Sequence, residues 1–173
     1  MNYYVRFESL QEWLVRNPAV APFWGMPNRI MKTAVLSNEV FDQLASGITH
    51  PNPRVRFETA HLADHLDDER SFPVLLALCH DPMPKVRAEA LHGLACERCN
   101  SCPLPVDGLN LLIDAALHDE SDKVRHKMVD TFPFHSPDPR IEQALSHIAA
   151  HDCNPDLRTK AEQALQRLRM EIK

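Results

Sequence analysis

Glycine is scarce in this chain: 4 of 173 residues, about a third of the ~7% found in ordinary proteins. With so few residues free to take φ > 0, tight phosphate-cradling loops have little to be built from. Neither G-x-G-x-x-G nor G-x-x-x-x-G-K-[ST] occurs, which removes the nucleotide enzymes that depend on those loops. Basic residues are not in excess either. Lys and Arg number 19 against 24 Asp and Glu, a net charge of -5, whereas affinity for nucleic acid rests on cations that neutralise phosphates. Nucleic acid is therefore not an expected partner. No apolar run reaches the ~18 residues that would span a bilayer. The first ten residues, MNYYVRFESL, lack the apolar stretch of a signal peptide. The expected location is the cytoplasm, with no membrane association. Enzyme signatures such as G-x-S-x-G and H-E-x-x-H are missing too, and the expectation is a protein that is not an enzyme. Cysteine is limited to five residues, yet three of them, Cys96, Cys99 and Cys102, fall within seven positions. In a reducing compartment such a cluster points to metal or thiol chemistry rather than to a disulfide framework.

The chain does carry internal repetition. Four segments align: HPNPRVRFETAHLADHL (50–66), HDPMPKVRAEALHGLAC (80–96), HDESDKVRHKMVDTFPF (118–134) and HDCNPDLRTKAEQALQR (151–167). Each begins with His and reaches an aliphatic residue followed by Arg. The aliphatic anchors are Val55, Val86, Val124 and Leu157, spaced 31, 38 and 33 residues apart. Periods of this size signify an array of stacked units, each too small to bury its own apolar face. An apolar stretch with helical spacing precedes each segment, for example Leu109, Ile113 and Leu117 before the third. The unit is thus helix A, turn, helix B.

The turn residues have physical roles. Pro51, Pro53, Pro82, Pro84 and Pro155 stop helix A or open helix B, since Pro lacks the N–H that only a first turn can spare. Asp81, Asp119 and Asp152 are placed to accept the N–H groups that follow them. His50, His80, His118 and His151 are expected at the C-terminal end of helix A, where a partly protonated ring suits the helix dipole.

This pattern, closest in HDPMPKVRAEAL (80–91), resembles the HEAT-like repeat family in its bacterial D-P-x-P-x-V-R-x-x-A variety, over about residues 37–171. The resemblance implies an all-α, right-handed α-solenoid of about four HEAT-like helix pairs with the B helices on the concave side. It also implies that Arg56, Arg87, Arg125 and Arg158 tie the turn of a neighbouring unit. The units are expected at about 37–66, 69–98, 104–134 and 137–171, forming one domain (37–173) with an N-terminal capping segment (1–36). In that cap Phe7, Leu10, Trp13 and Leu14 have helical spacing, and Phe23 and Trp24 are expected to pack inward.

Two candidate sites follow. Counted from the anchor, positions +3, +6 and +10 of helix B share one face. They are Glu58, His61 and His65 in the first unit and Glu89, His92 and Cys96 in the second. Stacking sets these rows side by side, a concave patch that, with His126, is the expected surface for a protein partner. The family includes deoxyhypusine hydroxylase, whose repeats hold iron through His-Glu steps on helix B. Here Phe57 and Ala88 stand where those histidines would be, and His126 is followed by Lys127, so that activity is not carried over. The second candidate is the insert CERCNSCP (96–103), which accounts for the long 38-residue period. C-x2-C-x2-C supplies three thiolates for a tetrahedral ion. Zinc is the candidate metal, with Cys96, Cys99 and Cys102 as ligands and His92, or alternatively His65, as the fourth; a redox dithiol and unliganded loop cysteines are the other readings of the same cluster. No other cofactor is expected. The sequence reading is thus a protein-binding scaffold or adaptor. The alternatives are a small zinc protein whose insert carries the function and a HEAT-like lyase or hydroxylase. The oligomeric state stays open, since a terminal repeat could pair with its own copy.

Overall fold

The computed structural model describes residues 8–26, 36–66, 68–96 and 107–171. Within them a short helix, α1 (Leu10–Arg16), precedes four helix pairs. The A helices are α2 (Asn38–Ala45), α4 (Phe72–Leu78), α6 (Gly108–His118) and α8 (Pro139–His151). The B helices are α3 (Pro53–His65), α5 (Pro84–Ala95), α7 (Asp122–Thr131) and α9 (Pro155–Glu171). Among the described residues there is no strand, and the architecture is an all-α solenoid. Each B helix packs against its own A helix and against the B helix of the next unit.

Local chemistry starts the helices where they start. Pro53, Pro84, Pro139 and Pro155 each stand at a first helical position, where the missing N–H costs nothing. Asn52, Asp107 and Asp138 accept from backbone N–H groups of the first turn. Ser9 and Glu12 form a reciprocal capping box on α1, which is how a seven-residue helix keeps its orphan donors satisfied. The core then runs the length of the array. Leu75, Leu112 and Leu145 of successive A helices and Val55, Val86, Val124 and Leu157 of the B helices are all essentially inaccessible to solvent. Burying each such side chain contributes roughly 2 kcal/mol.

Successive units are also tied by a ladder of arginines. Arg56 reaches Asp81 through Nε (2.5 Å) and Nη2 (3.1 Å), and its Nη1 donates to the carbonyl of His50 at 2.8 Å. Arg87 treats Asp119 and the Asp81 carbonyl in the same way, and Arg125 does so with Asp152 and the Asp119 carbonyl. The same aspartates accept from the N–H groups of Met83, Ser121 and Asn154. Arg158, expected to tie a neighbouring unit as well, binds its own turn among the described residues, at the Asp152 carbonyl.

This ladder corrects the reading of His50. Its carbonyl receives Arg56, and its Nδ1 accepts from the Asn52 N–H at 3.1 Å, both of which are the duties of Asp81 in the next unit. His50 therefore stands in the aspartate's place and not in that of His80, because the first turn is one residue shorter. Among the described residues no arginine of a preceding unit grips it. Its Nε2 instead meets Glu8 Oε2 at 2.8 Å, and Glu8 is also paired with Arg16 of α1.

The cap is held by Trp13, 1% exposed, whose indole N–H donates to Ser46 Oγ at 3.1 Å. Gly47 lies beneath it: a Cβ there would come within 1.9 Å of Thr59 Oγ1 and 3.1 Å of the Trp13 ring. Phe23 packs partly against the core. Trp24 does not pack inward as expected, being 44% exposed. It follows the short 3-10 turn Ala21–Phe23 in extended backbone, and Trp13 is the indole that fills the cap. Phe7 lies outside the described residues.

Candidate functional site

The +3/+6 row of the B helices forms rungs between units. His61 Nδ1 donates to Glu89 Oε1 at 2.6 Å, linking α3 to α5. The third boundary repeats the geometry with the charges exchanged, Lys160 Nζ donating to Asp130 Oδ2 at 2.7 Å. Between them, His92 Nδ1 meets Thr131 Oγ1 at 3.1 Å, and that hydroxyl donates to the Lys127 carbonyl. The Thr131 oxygen can then only accept from His92, which places the ring proton on Nδ1 and the lone pair on Nε2.

The electrostatics follow from this pairing. The Glu89 hydrogen bond holds His61 above its usual range, against the opposing effect of burial. Burial pushes Glu89 up, but the bond from His61 and the charges of His61, Lys127 and His92 outweigh it and keep the carboxyl low. The residues expected to form an open patch are not equally accessible. Glu58 is 5% exposed and paired with Arg54 one turn earlier, His65 is 6% exposed, and Cys96 is 2% exposed. His61, Glu89, His92 and His126 remain partly accessible. At the +10 position His65 and Cys96 of the first two units are buried, whereas Phe134 and Arg167 of the later two are exposed.

Beneath the row lies a residue that periodicity did not single out. Asp64 is fully buried, and neither carboxylate oxygen has a hydrogen-bond partner among the described residues. Burial pushes its carboxyl up to about 6, against the nearby charges of His65 and His92. The sequence does hold a signal for it. Gly93 interrupts α5, at a cost of about 1 kcal/mol relative to Ala, and a Cβ there would lie 3.0 Å from the Asp64 Cβ and 3.1 Å from its Oδ1. The glycine is what lets Asp64 approach.

Of the thiol candidates, Cys96 caps the C-terminus of α5, its N–H donating to the His92 carbonyl at 2.8 Å. Cys99 and Cys102 lie outside the described residues. The two candidate histidines share a protonation pattern. His65 donates from Nδ1 to the His61 carbonyl at 2.7 Å, so its lone pair, like that of His92, is on Nε2. Among the described residues, no three His, Cys, Asp or Glu side chains are gathered so as to hold a metal ion.

A family model described as HEAT repeats matches residues 29–97. Those residues are HEAT-like repeats. No curated protein matches the chain. The match covers the first two units; Arg125 of the third repeats the grip of Arg56 and Arg87 on the aspartate of the next unit, and Arg158 of the fourth keeps the bond to its own turn. No helix among the described residues is long and apolar enough to cross a membrane. Phe57 stacks on His61 and lies under the Lys85 ammonium, 4.3 Å from its ring centroid.

Proposed function

We propose that this protein is a protein-binding scaffold or adaptor that presents the concave face of α3, α5 and α7 to a protein partner. HEAT repeats commonly serve as protein-interaction scaffolds, and the partner class follows from that. The observation that carries the reading is the placement of His61, His92 and His126, one on each of three consecutive B helices, all partly accessible. His61 and His92 are each held by a bond from the next unit, so they are ordered before any partner arrives, which lowers the entropic cost of binding. Glu89 is their accessible companion, while Glu58 and His65 act from below.

The test is affinity capture from the source cell, quantified by mass spectrometry, with His61→Ala/His126→Ala alongside the wild type and thermal melts confirming that both are folded. Loss of the captured partner in the variant is expected. Unchanged capture would overturn this surface.

A second reading, zinc held by Cys96, Cys99, Cys102 and His92 or His65, is supported by the Nε2 lone pairs of both histidines and by Cys96 ending the helix one turn after His92. Histidine ligands commonly donate their other ring N–H to a neighbouring oxygen, and both of these do. Elemental analysis of untagged protein is the test. Near-stoichiometric zinc that disappears in Cys96→Ser/Cys99→Ser is the expected result, and no metal in either sample ends the reading.

A further inference from the structure

The boundary between the third and fourth units differs from the first. Between α3 and α5 the space below the His61–Glu89 rung is closed by Asp64 against Gly93. Between α7 and α9 the space below the Asp130–Lys160 rung is open, a cavity of about 600 Å³. Its floor is apolar: Phe132, Ile141 and Leu145 are buried side chains whose surfaces face it. Phe134, 39% exposed, stands at the mouth on the 3-10 turn Phe132–Phe134. This is the +10 position, which holds His65 in the first unit. The corresponding +10 residue of α9 is Arg167, in the place of Cys96. Arg167 lines the cavity, is exposed and has no hydrogen-bond or ion-pair partner among the described residues.

We infer that this cavity is a docking site for a partner segment that inserts one bulky apolar side chain and sets an adjacent carboxylate on Arg167. The inference rests on the protein-binding reading above and adds to it a second surface and the chemistry of its ligand. Its volume lies in the range of ordinary ligand sites, and an apolar floor with a few polar groups, here Asp130, Lys160, Gln163 and Arg167, is the usual composition of such sites. The charge at the rim selects the anion. Lys160 is already neutralised by Asp130, so the three rim charges leave a surplus of one positive charge, on Arg167. One guanidinium matches one carboxylate in a two-point contact, whereas a phosphate dianion would lack a second cation and would face the Asp130 carboxylate. The Asp130–Lys160 rung itself lines the cavity.

The probe is a short fluorescein-labelled peptide with one phenylalanine followed by one aspartate in a glycine–serine background. Its two controls carry serine in place of the phenylalanine, or lysine in place of the aspartate. Fluorescence anisotropy should show the acidic peptide binding roughly tenfold or more tightly than either control. Arg167→Glu should reverse the order, taking the lysine peptide over the aspartate peptide. Ala164→Trp, which places an indole in the cavity, should abolish binding of all three, with a melt confirming the fold. Equal binding of the aspartate and lysine peptides, an effect of Arg167→Glu on neither, or full binding to Ala164→Trp would each overturn the inference. Capture of the natural partner that is lost in His61→Ala/His126→Ala while these peptides fail to bind would reject this cavity and leave the scaffold reading standing. Peptide binding with capture indifferent to His61 and His126 would do the reverse.

Discussion

Arg125 grips Asp152 with two parallel bonds, Nε to Oδ2 at 2.8 Å and Nη2 to Oδ1 at 3.1 Å, across the boundary between the third and fourth units. Both side chains are nearly removed from solvent, and the third guanidinium nitrogen closes on the Asp119 carbonyl. Removing one partner of such a pair strands the other charge, which costs about 3 kcal/mol or more. Arg125→Ala should therefore lower the unfolding free energy by about that amount in urea denaturation. Arg125→Lys should recover little of it, because an ammonium cannot reproduce the fork. A loss below about 1 kcal/mol would mean the rung is worth no more than a surface ion pair.

Asp64 predicts an unusual dependence on pH. Its carboxyl is raised to about 6 in the folded chain from an ordinary value of 3.8. Between those two values the folded state binds more protons than the unfolded state, so stability falls as pH rises through this window. The loss from this one group approaches roughly 3 kcal/mol above pH 6. Asp64→Asn removes the titration while keeping the shape. The variant should gain on the wild type in urea midpoint at pH 7.5 and lose that advantage at pH 4. No gain at pH 7.5 would show that the carboxylate is compensated where it sits.

The His61–Glu89 rung behaves oppositely. His61 is raised, so its contribution is complete below its ordinary value of 6.5 and is lost as pH climbs through the higher folded value. Glu89 is lowered, so its contribution is complete above 4.5 and disappears as pH falls through the lower folded value. The rung is strongest between those limits. Comparing His61→Gln with the wild type from pH 3.5 to 8.5, the stability difference should peak near pH 5.5 at about 1 kcal/mol or less, as befits a partly exposed pair. A difference that is flat across the range would remove the ionic component.

Gly47 tests the seat of the cap. The methyl group of Gly47→Ala would collide with the Thr59 hydroxyl and crowd the Trp13 ring, and overpacking of this kind costs about 1–3 kcal/mol. The expected readout is a lowered melting temperature together with increased exposure of Trp13, seen as red-shifted fluorescence. A wild-type melt would show that α1 yields without penalty.

The order of the helix pairs, the prolines that open the B helices and the linking roles of Arg56, Arg87 and Arg125 could all be read from one sequence, whereas Arg158, expected to link as well, bonds to its own turn. Each depends on residues close along the chain, or on a motif repeated often enough to reveal itself by alignment with itself. The +3/+6 rungs were half legible: the spacing named His61 and Glu89, but not that they satisfy each other, nor that Glu58 and His65 sink from view. The role of His50 was misread because one missing residue in the first turn shifts the alignment against the anchor. Asp64 escaped notice because a charged residue among helical neighbours ordinarily faces water, and only the partner helix shows otherwise. Of the thiol cluster, Cys96 is a buried residue at the end of α5, while Cys99 and Cys102 lie outside the described residues.

Taken alone, then, the sequence determined the class of the molecule: an array of helix pairs, whose period, turns and anchors are local properties that any stacking must respect. The tertiary structure decided what lies between the pairs. Whether a boundary is closed by Asp64 on Gly93 or left open above Phe132 and Leu145 depends on side-chain volumes contributed from positions some thirty residues apart. Close packing settles such questions by the fit of several surfaces at once, and no single stretch of the chain contains that fit.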